Sequence, residues 1–153
     1  MMMRLLSPIL LVWLWWRGRK HASYGRSNLR RLGFYRDEQT QVMGTRIWIH
    51  AVSVGETLAV APLIRQLIDA NYRVLATSTT PTGAEQLMRQ FGDRIEADWS
   101  PIDTPGAVCR FLNHWHPTAG LLVETEIWPN AVTLASSRGI PMFLVNARMS
   151  ARS

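Results

Sequence analysis

Ile47-Trp48-Ile49-His50-Ala51-Val52-Ser53-Val54-Gly55-Glu56 is the stretch whose reading decides the fold. An apolar run that ends in small residues and then opens a helical pattern marks a buried strand entering the first βα unit of an α/β domain. The expected order is a strand, a tight turn at Gly55, and Glu56 at the mouth of the following helix. In such sheets ligands bind beyond the carboxyl ends of the strands, where Ser53, Gly55 and Glu56 would lie. Two roles are open for Glu56. An acid in a first helical turn gains about 0.3–1 kcal/mol from the helix dipole alone. An acid at a ligand crevice can also act as a general base.

Downstream the same pattern repeats. Strand candidates are 46–52, 73–78, 94–99, 119–124 and 142–146, with helical patterns at about 57–70, 82–91, 105–114 and 128–138. Five strands alternating with four helices predict a Rossmann-like α/β fold, a parallel sheet with helices on both faces. Pro81 and Pro105 stand at helix starts, where a missing N–H costs nothing. Pro62 leaves two options: a first helix that begins near Leu58, with Glu56 in the preceding turn, or a helix that kinks at the proline.

The polar residues gather at the expected strand ends. The second strand runs into Thr77-Ser78-Thr79-Thr80-Pro81-Thr82-Gly83, the fourth into Glu124-Thr125-Glu126-Ile127-Trp128-Pro129-Asn130, and the fifth into Asn146-Ala147-Arg148. Hydroxyls and free amides at helix N-termini suit sugar hydroxyls or phosphates; the threonines equally suit plain N-capping. Glu124 and Glu126 share one side of the sheet if the strand persists through them. A cleft with several carboxylates can hold one of them as a general base. No GxGxxG or P-loop pattern occurs in these turns, so a dinucleotide or NTPase site lacks its signature.

Upstream, residues 5–16 are apolar apart from Ser7 and precede Arg17-Gly18-Arg19-Lys20. Twelve helical residues rise about 18 Å, short of the roughly 30 Å of a hydrocarbon core. Trp13, Trp15 and Trp16 beside a basic cluster suit a segment lying at a membrane interface, and the basic cluster suits anionic lipid on the cytoplasmic side. The rival readings are a buried core helix and a secretory signal; the signal lacks a leading basic region and a cleavage site. The organisation expected is therefore a membrane-associated segment at 1–20, a basic linker at 21–44 with a short helix near 28–32, and the α/β domain at 45–153.

Composition sets the outer limits. The 153 residues suffice for one domain with a real core, with 47% hydrophobic and 18% charged residues. The net charge of +6 is concentrated at the start, since residues 1–46 hold Arg4, Arg17, Arg19, Lys20, Arg26, Arg30, Arg31, Arg36 and Arg46 against Asp37 and Glu38. The near-neutral remainder offers no basic face for nucleic acid. Cys109, the single cysteine, excludes an internal disulfide and suits a reducing compartment. With His114 and His116 it lacks the paired spacing of a structural zinc site, so no metal is expected.

Taken together, His50-Ala-Val-Ser-Val-Gly-Glu56-Thr-Leu-Ala, Thr79-Thr-Pro-Thr-Gly83, Glu124-Thr-Glu-Ile-Trp-Pro-Asn130 and Asn146-Ala-Arg-Met-Ser-Ala-Arg-Ser153 closely resemble the N-terminal part of the bacterial 3-deoxy-D-manno-octulosonic acid (Kdo) transferases. The Trp-x-Arg-Gly-Arg-Lys stretch at 15–20 and Gly33-Phe34-Tyr35 fit as well. The resemblance implies the acceptor half of a two-domain GT-B glycosyltransferase at the cytoplasmic face of the inner membrane. Its reaction is inverting transfer of Kdo from CMP-Kdo to the lipid A precursor (lipid IVA), without metal or cofactor. Glu56 falls on the family's catalytic base and Glu124 on a position that supports the transition state. The substrate-binding positions it suggests are Ser53, Gly55, Thr79, Thr80, Thr82, Asn146 and Arg148. The CMP-contacting half is missing from this chain, so activity alone is not expected. Ile102 stands where an aromatic is expected. The competing expectation is a non-catalytic membrane-surface module that holds an anionic glycolipid on the Arg-rich stretch 17–36.

Overall fold

Residues 29–35, 44–124 and 127–147 are described in the computed structural model. Five parallel strands form one sheet: β1 (Arg46–His50), β2 (Arg73–Ser78), β3 (Glu96–Trp99), β4 (Ala119–Val123) and β5 (Met142–Val145). Four helices connect them: α1 (Val54–Asp69), α2 (Pro81–Phe91), α3 (Pro105–Trp115) and α4 (Pro129–Ser136). The strand order is β3-β2-β1-β4-β5. The chain winds outward from β1 to β3, then returns to the other side of β1 and winds outward again. The winding direction reverses between β1 and β4. That reversal opens a crevice at their carboxyl ends, because the loops leaving them part to opposite faces.

Alternation along β1 divides the core. Ile47 and Ile49 face α1 and α2, where Val60, Ala61, Ile64, Leu87 and Phe91 pack with Val74 and Ala76 of β2. Trp48 faces α3 and α4, packing with Leu75, Phe111, Leu112, Trp115, Ala131 and Ala135. Both faces of the central strands are covered, which explains why the sequence there is a continuous apolar run rather than an alternation with polar residues. The helices on both faces match the expected α/β architecture.

The element ends depart from expectation at informative places. β1 stops at His50, two residues early, because Ser53 caps α1: its backbone is extended (φ −117°) and its side chain accepts from the Glu56 amide. The tight turn therefore lies at Val52-Ser53, and Gly55 sits inside the first helical turn. The option of a helix beginning near Leu58 is overturned as well. α1 starts at Val54 and runs through Pro62. The missing proline N–H leaves the Leu58 carbonyl without its intrahelical partner, and both residues are exposed, so water can replace the lost bond. β4 ends at Val123, since Glu124 takes a left-handed backbone (φ 64°). The shared face of Glu124 and Glu126 was conditional on a strand that ends before Glu124, and residues 125 and 126 lie outside the described residues. β5 ends one residue early at Val145, with Asn146 at φ 53°. β3 starts at Glu96 because Gly92–Arg94 form a 3-10 turn.

Within the stretch expected as a basic linker, residues 29–35 dock on the domain. They begin as a helical turn at 29–31. Arg30 pairs with Asp98 at 2.9 Å, the Arg31 carbonyl accepts from the Ile102 amide at 2.8 Å, and Arg110 donates twice to the Leu32 carbonyl. Gly33 permits the approach: with φ 78°, an added Cβ would sit 2.8 Å from the Ala107 carbonyl oxygen. The apolar segment at 1–20 lies outside the described residues. Among the described residues no helix is long and apolar enough to cross a membrane.

Gly83 offers a direct test of the packing between the β1–α1 and β2–α2 loops. A Cβ there would lie 2.9 Å from Thr80 Oγ1 and 3.2 Å from the Val52 carbonyl oxygen, and closer still to Ser78 Oγ. Alanine in a helix interior normally gains about 1 kcal/mol over glycine. Here Gly83→Ala is expected to destabilise the domain by about 1–3 kcal/mol through overpacking, read as a lower urea midpoint. A stabilised variant would contradict this geometry.

Candidate functional site

The loop from β1 into α1 is built around the backbone of one residue, Val52. The Val52 N–H donates to Glu56 Oε2 at 2.7 Å, while the Val52 carbonyl accepts from Thr80 Oγ1 at 2.8 Å and from Ser78 Oγ at 3.1 Å. Ser53 Oγ donates to Glu56 Oε1 at 3.0 Å and accepts from the Glu56 amide at 3.3 Å. This is the reciprocal logic of a capping box, with the carboxylate reaching back to Val52 instead of the cap residue itself. Glu56 is 8% exposed. Its carboxylate is therefore fixed by two donors at a helix N-terminus, where negative charge is favoured. Fixed orientation at the carboxyl edge is also what a general base requires. The capping role and a chemical role use the same geometry.

The other expected positions line the same edge of the sheet. Thr80 caps α2, accepting from the Gly83 amide at 3.2 Å, so its hydroxyl both donates and accepts within the protein. Thr79 is half-buried and its carbonyl accepts from Arg31, while Thr82 is exposed. Ser53 and Glu56 are in contact, and Gly55 is exposed beside them. Glu124 stands at the end of β4, across the crevice from β1, with its amide bonded to the Val145 carbonyl at 2.9 Å. Asn146 is exposed in the turn after β5. Arg148 lies outside the described residues.

Several residues at this edge had no assigned role in the sequence. Asp103, from the loop between β3 and α3, caps α4 by accepting from the Asn130 amide at 3.1 Å and the Ala131 amide at 2.8 Å. Arg31 reaches the Thr79 carbonyl and lies over the Trp99 ring, 4.9 Å from its centroid. His50 is 1% exposed, with Nδ1 3.0 Å from Thr77 Oγ1. Burial holds its imidazole down to about 4, the nearby Arg31 charge adding to the effect and a Thr77 hydrogen bond opposing it. It is thus neutral near pH 7. Asp103 and Arg31 gave no sequence signal, because their partners are more than twenty residues away. His50 gave a weak one, as the polar residue of a buried strand. Cys109, His114 and His116 do not converge. Arg138 meets the Cys109 sulfur at 2.8 Å, and His114 stacks on Tyr35. Among the described residues no cluster of three or more candidate ligands could hold a metal ion. A groove of about 250 Å³ beside Arg30, Leu87, Met88 and Trp99 lies along α2 and β3, away from Glu56.

Residues 26–153 match the family model for the 3-deoxy-D-manno-octulosonic-acid transferases (kdotransferases). The chain belongs to the Kdo transferase family. The match covers the β1–α1 loop, the crevice and the docked segment at 29–35. Among curated relatives, 3-deoxy-D-manno-octulosonic acid transferase of Bordetella pertussis is 38% identical over 165 residues, covering 99% of this chain and 37% of the relative. The Haemophilus influenzae protein of the same name is 36% identical over 149 residues, covering 96% of this chain and 35% of its own length. That of Rickettsia typhi is 35% identical over 109 residues, or 70% of this chain and 23% of the relative. This Kdo transferase chain spans about a third of the length of the first two.

The depressed His50 titration has a measurable consequence. Between pH 6.5 and about 4 the unfolded chain protonates this imidazole while the folded chain does not, so stability falls as pH drops through that window. His50→Phe is expected to flatten this part of the dependence. Urea midpoints at pH 7 and pH 5 compare the two proteins; an equal loss in both would remove His50 as the cause.

Proposed function

We propose that this chain is the acceptor half of a Kdo transferase, with Glu56 as its general base. The observation that carries this is the buried Glu56 carboxylate, fixed by the Val52 amide and the Ser53 hydroxyl at the carboxyl end of β1. In this reading a hydroxyl of the lipid A precursor (lipid IVA) approaches the free lone pairs of that carboxylate. Glu56 takes the hydroxyl proton as the oxygen attacks the anomeric carbon of Kdo, and the bond to the CMP phosphate breaks on the opposite face, inverting the configuration. Glu124, across the crevice, supports the charge that develops. Ser53, Gly55, Thr79, Thr82, Asn146 and Arg148 supply contacts to the sugar substrate, while Thr80 serves through its cap. No metal or other cofactor enters these steps. CMP-Kdo is held by the further part of the protein that the curated relatives possess, the second half of a GT-B architecture. The apolar and basic segment at 1–20 holds the assembly at the cytoplasmic face of the inner membrane.

Two measurements test this. The chain alone is expected to show no Kdo transfer from CMP-Kdo, and transfer is expected to appear when the remainder of the Bordetella pertussis relative is supplied. Turnover by the lone chain would overturn the division of labour. In the complemented enzyme Glu56→Gln keeps an acceptor for the Val52 amide but cannot take a proton, so turnover should fall roughly 10²- to 10⁴-fold with little loss of stability. Near-normal turnover would remove Glu56 as the base. Salt-sensitive binding of the lipid A precursor, with no transfer even after complementation, would favour the non-catalytic glycolipid module.

A further inference from the structure

His50 belongs to the motif that contains Glu56, yet the chemistry above gives it no part. Its side chain ends a relay that crosses the sheet. Trp48 Nε1 donates to Thr77 Oγ1 at 2.8 Å, and the same hydroxyl meets His50 Nδ1 at 3.0 Å. The imidazole then stands edge-on to Trp128, with ring centroids 5.0 Å apart and planes at 83°. Its Nε2 is buried and has no hydrogen-bond partner. Whichever nitrogen carries the proton, a buried polar atom without a partner costs about 1–3 kcal/mol. A core position free to vary would be better served by an apolar side chain. The ring also touches a residue outside the strands of the sheet.

What it touches is one end of the crevice loop. Glu124 is fixed at the other end, where its amide bonds to the Val145 carbonyl at 2.9 Å. Trp128 is the residue before α4, and its carbonyl accepts from the Val132 amide at 2.9 Å. No side-chain cap comes from Trp128 itself; Asp103 supplies the first amides of α4 instead. Only residues 125–127 span the two anchors. Trp128 and Glu124 flank the point where the winding of the sheet reverses, and His50 is the strand residue of β1 that reaches across it. The β1–α1 loop that carries Glu56 begins at the next residue.

We propose that His50 is a positioning residue: through Trp128 it sets where the start of α4 lies relative to Glu56. The inference rests on the Kdo transferase reading for its chemistry, but its mechanical part does not. In the 153-residue chain, amide hydrogen exchange at Asn130, Ala131 and Val132 is expected to speed up about tenfold in His50→Phe, with the amides of α1 unchanged. Thr77→Val, which removes the hydroxyl that orients the imidazole, should give the same pattern. Unchanged exchange in folded His50→Phe overturns the proposal whatever the chain's activity. In the complemented enzyme, His50→Phe should lower kcat roughly 10- to 100-fold, with KM for the lipid acceptor within about twofold. Thr77→Val should lower kcat as well, and the double variant should be no worse than His50→Phe alone, as for residues acting in series. Unchanged kcat, or losses that multiply, would overturn it. Should His50→Phe not fold, Trp128→Phe carries both measurements with the same expected losses. Wild-type complemented protein that transfers no Kdo would instead defeat the functional reading and leave the exchange result to decide the positioning.

Discussion

The backbone of Val52, through its N–H and its carbonyl, is the constraint on which the candidate site depends. Its N–H holds the Glu56 carboxylate and its carbonyl receives the hydroxyls of Ser78 and Thr80. Two loops that belong to different βα units are thereby fastened to the backbone of one residue, whose N–H and carbonyl bonds together restrict its φ and ψ. Gly83 is part of the same fastening, because only a residue without a Cβ lets α2 approach this closely. The result is a carboxylate whose position is over-determined by local cap bonds and by a neighbouring helix. Pre-organisation of this kind is what separates an acid that stabilises a helix from one that can also serve chemistry.

Ion pairs tie the amino ends of the strands together. At the amino ends of the strands, Arg46 grips Glu96 through two nitrogens, at 2.7 and 2.9 Å, and Arg73 joins the same carboxylate. These groups close on one another and hold β1, β2 and β3 in register. Removing one partner of such a half-buried set leaves the others uncompensated, so they are structural. Toward the carboxyl ends Asp98 pairs with Arg30, while the carboxylates of Glu56 and Asp103 are met by backbone amides and, at Glu56, by the Ser53 hydroxyl. Dipoles fix the latter two without neutralising their charge.

The segment at 29–35 joins this picture from outside the sheet. Arg30, Arg31 and the Leu32 carbonyl bind Asp98, Thr79 and Arg110, which belong to β3, the β2–α2 loop and α3. The arginines that give the early part of the chain its positive charge thus include two that serve packing. Charge counted along the sequence overstates what is offered to an anionic surface.

The sequence by itself determined the α/β class, the order of strands and helices, and the edge at which Ser53, Glu56, Thr80, Glu124 and Asn146 stand. These follow from periodicity and from helix-start chemistry, which act over a few residues and can be read locally. It also contained the motifs that mark the Kdo transferase family. It did not determine where the first turn lies, since both Gly55 and Pro62 pointed to later helix starts, and the Ser53–Glu56 cap outweighed them. Nor did it show that the backbone turns left-handed at Glu124, which ends the strand on which the shared face of Glu124 and Glu126 was conditional. The tertiary structure alone decided that Asp103 caps α4, that Arg31 reaches Thr79, and that His50 bears on Trp128. Each of these joins residues more than twenty positions apart, and such pairings exist only once the sheet has brought the strand ends together.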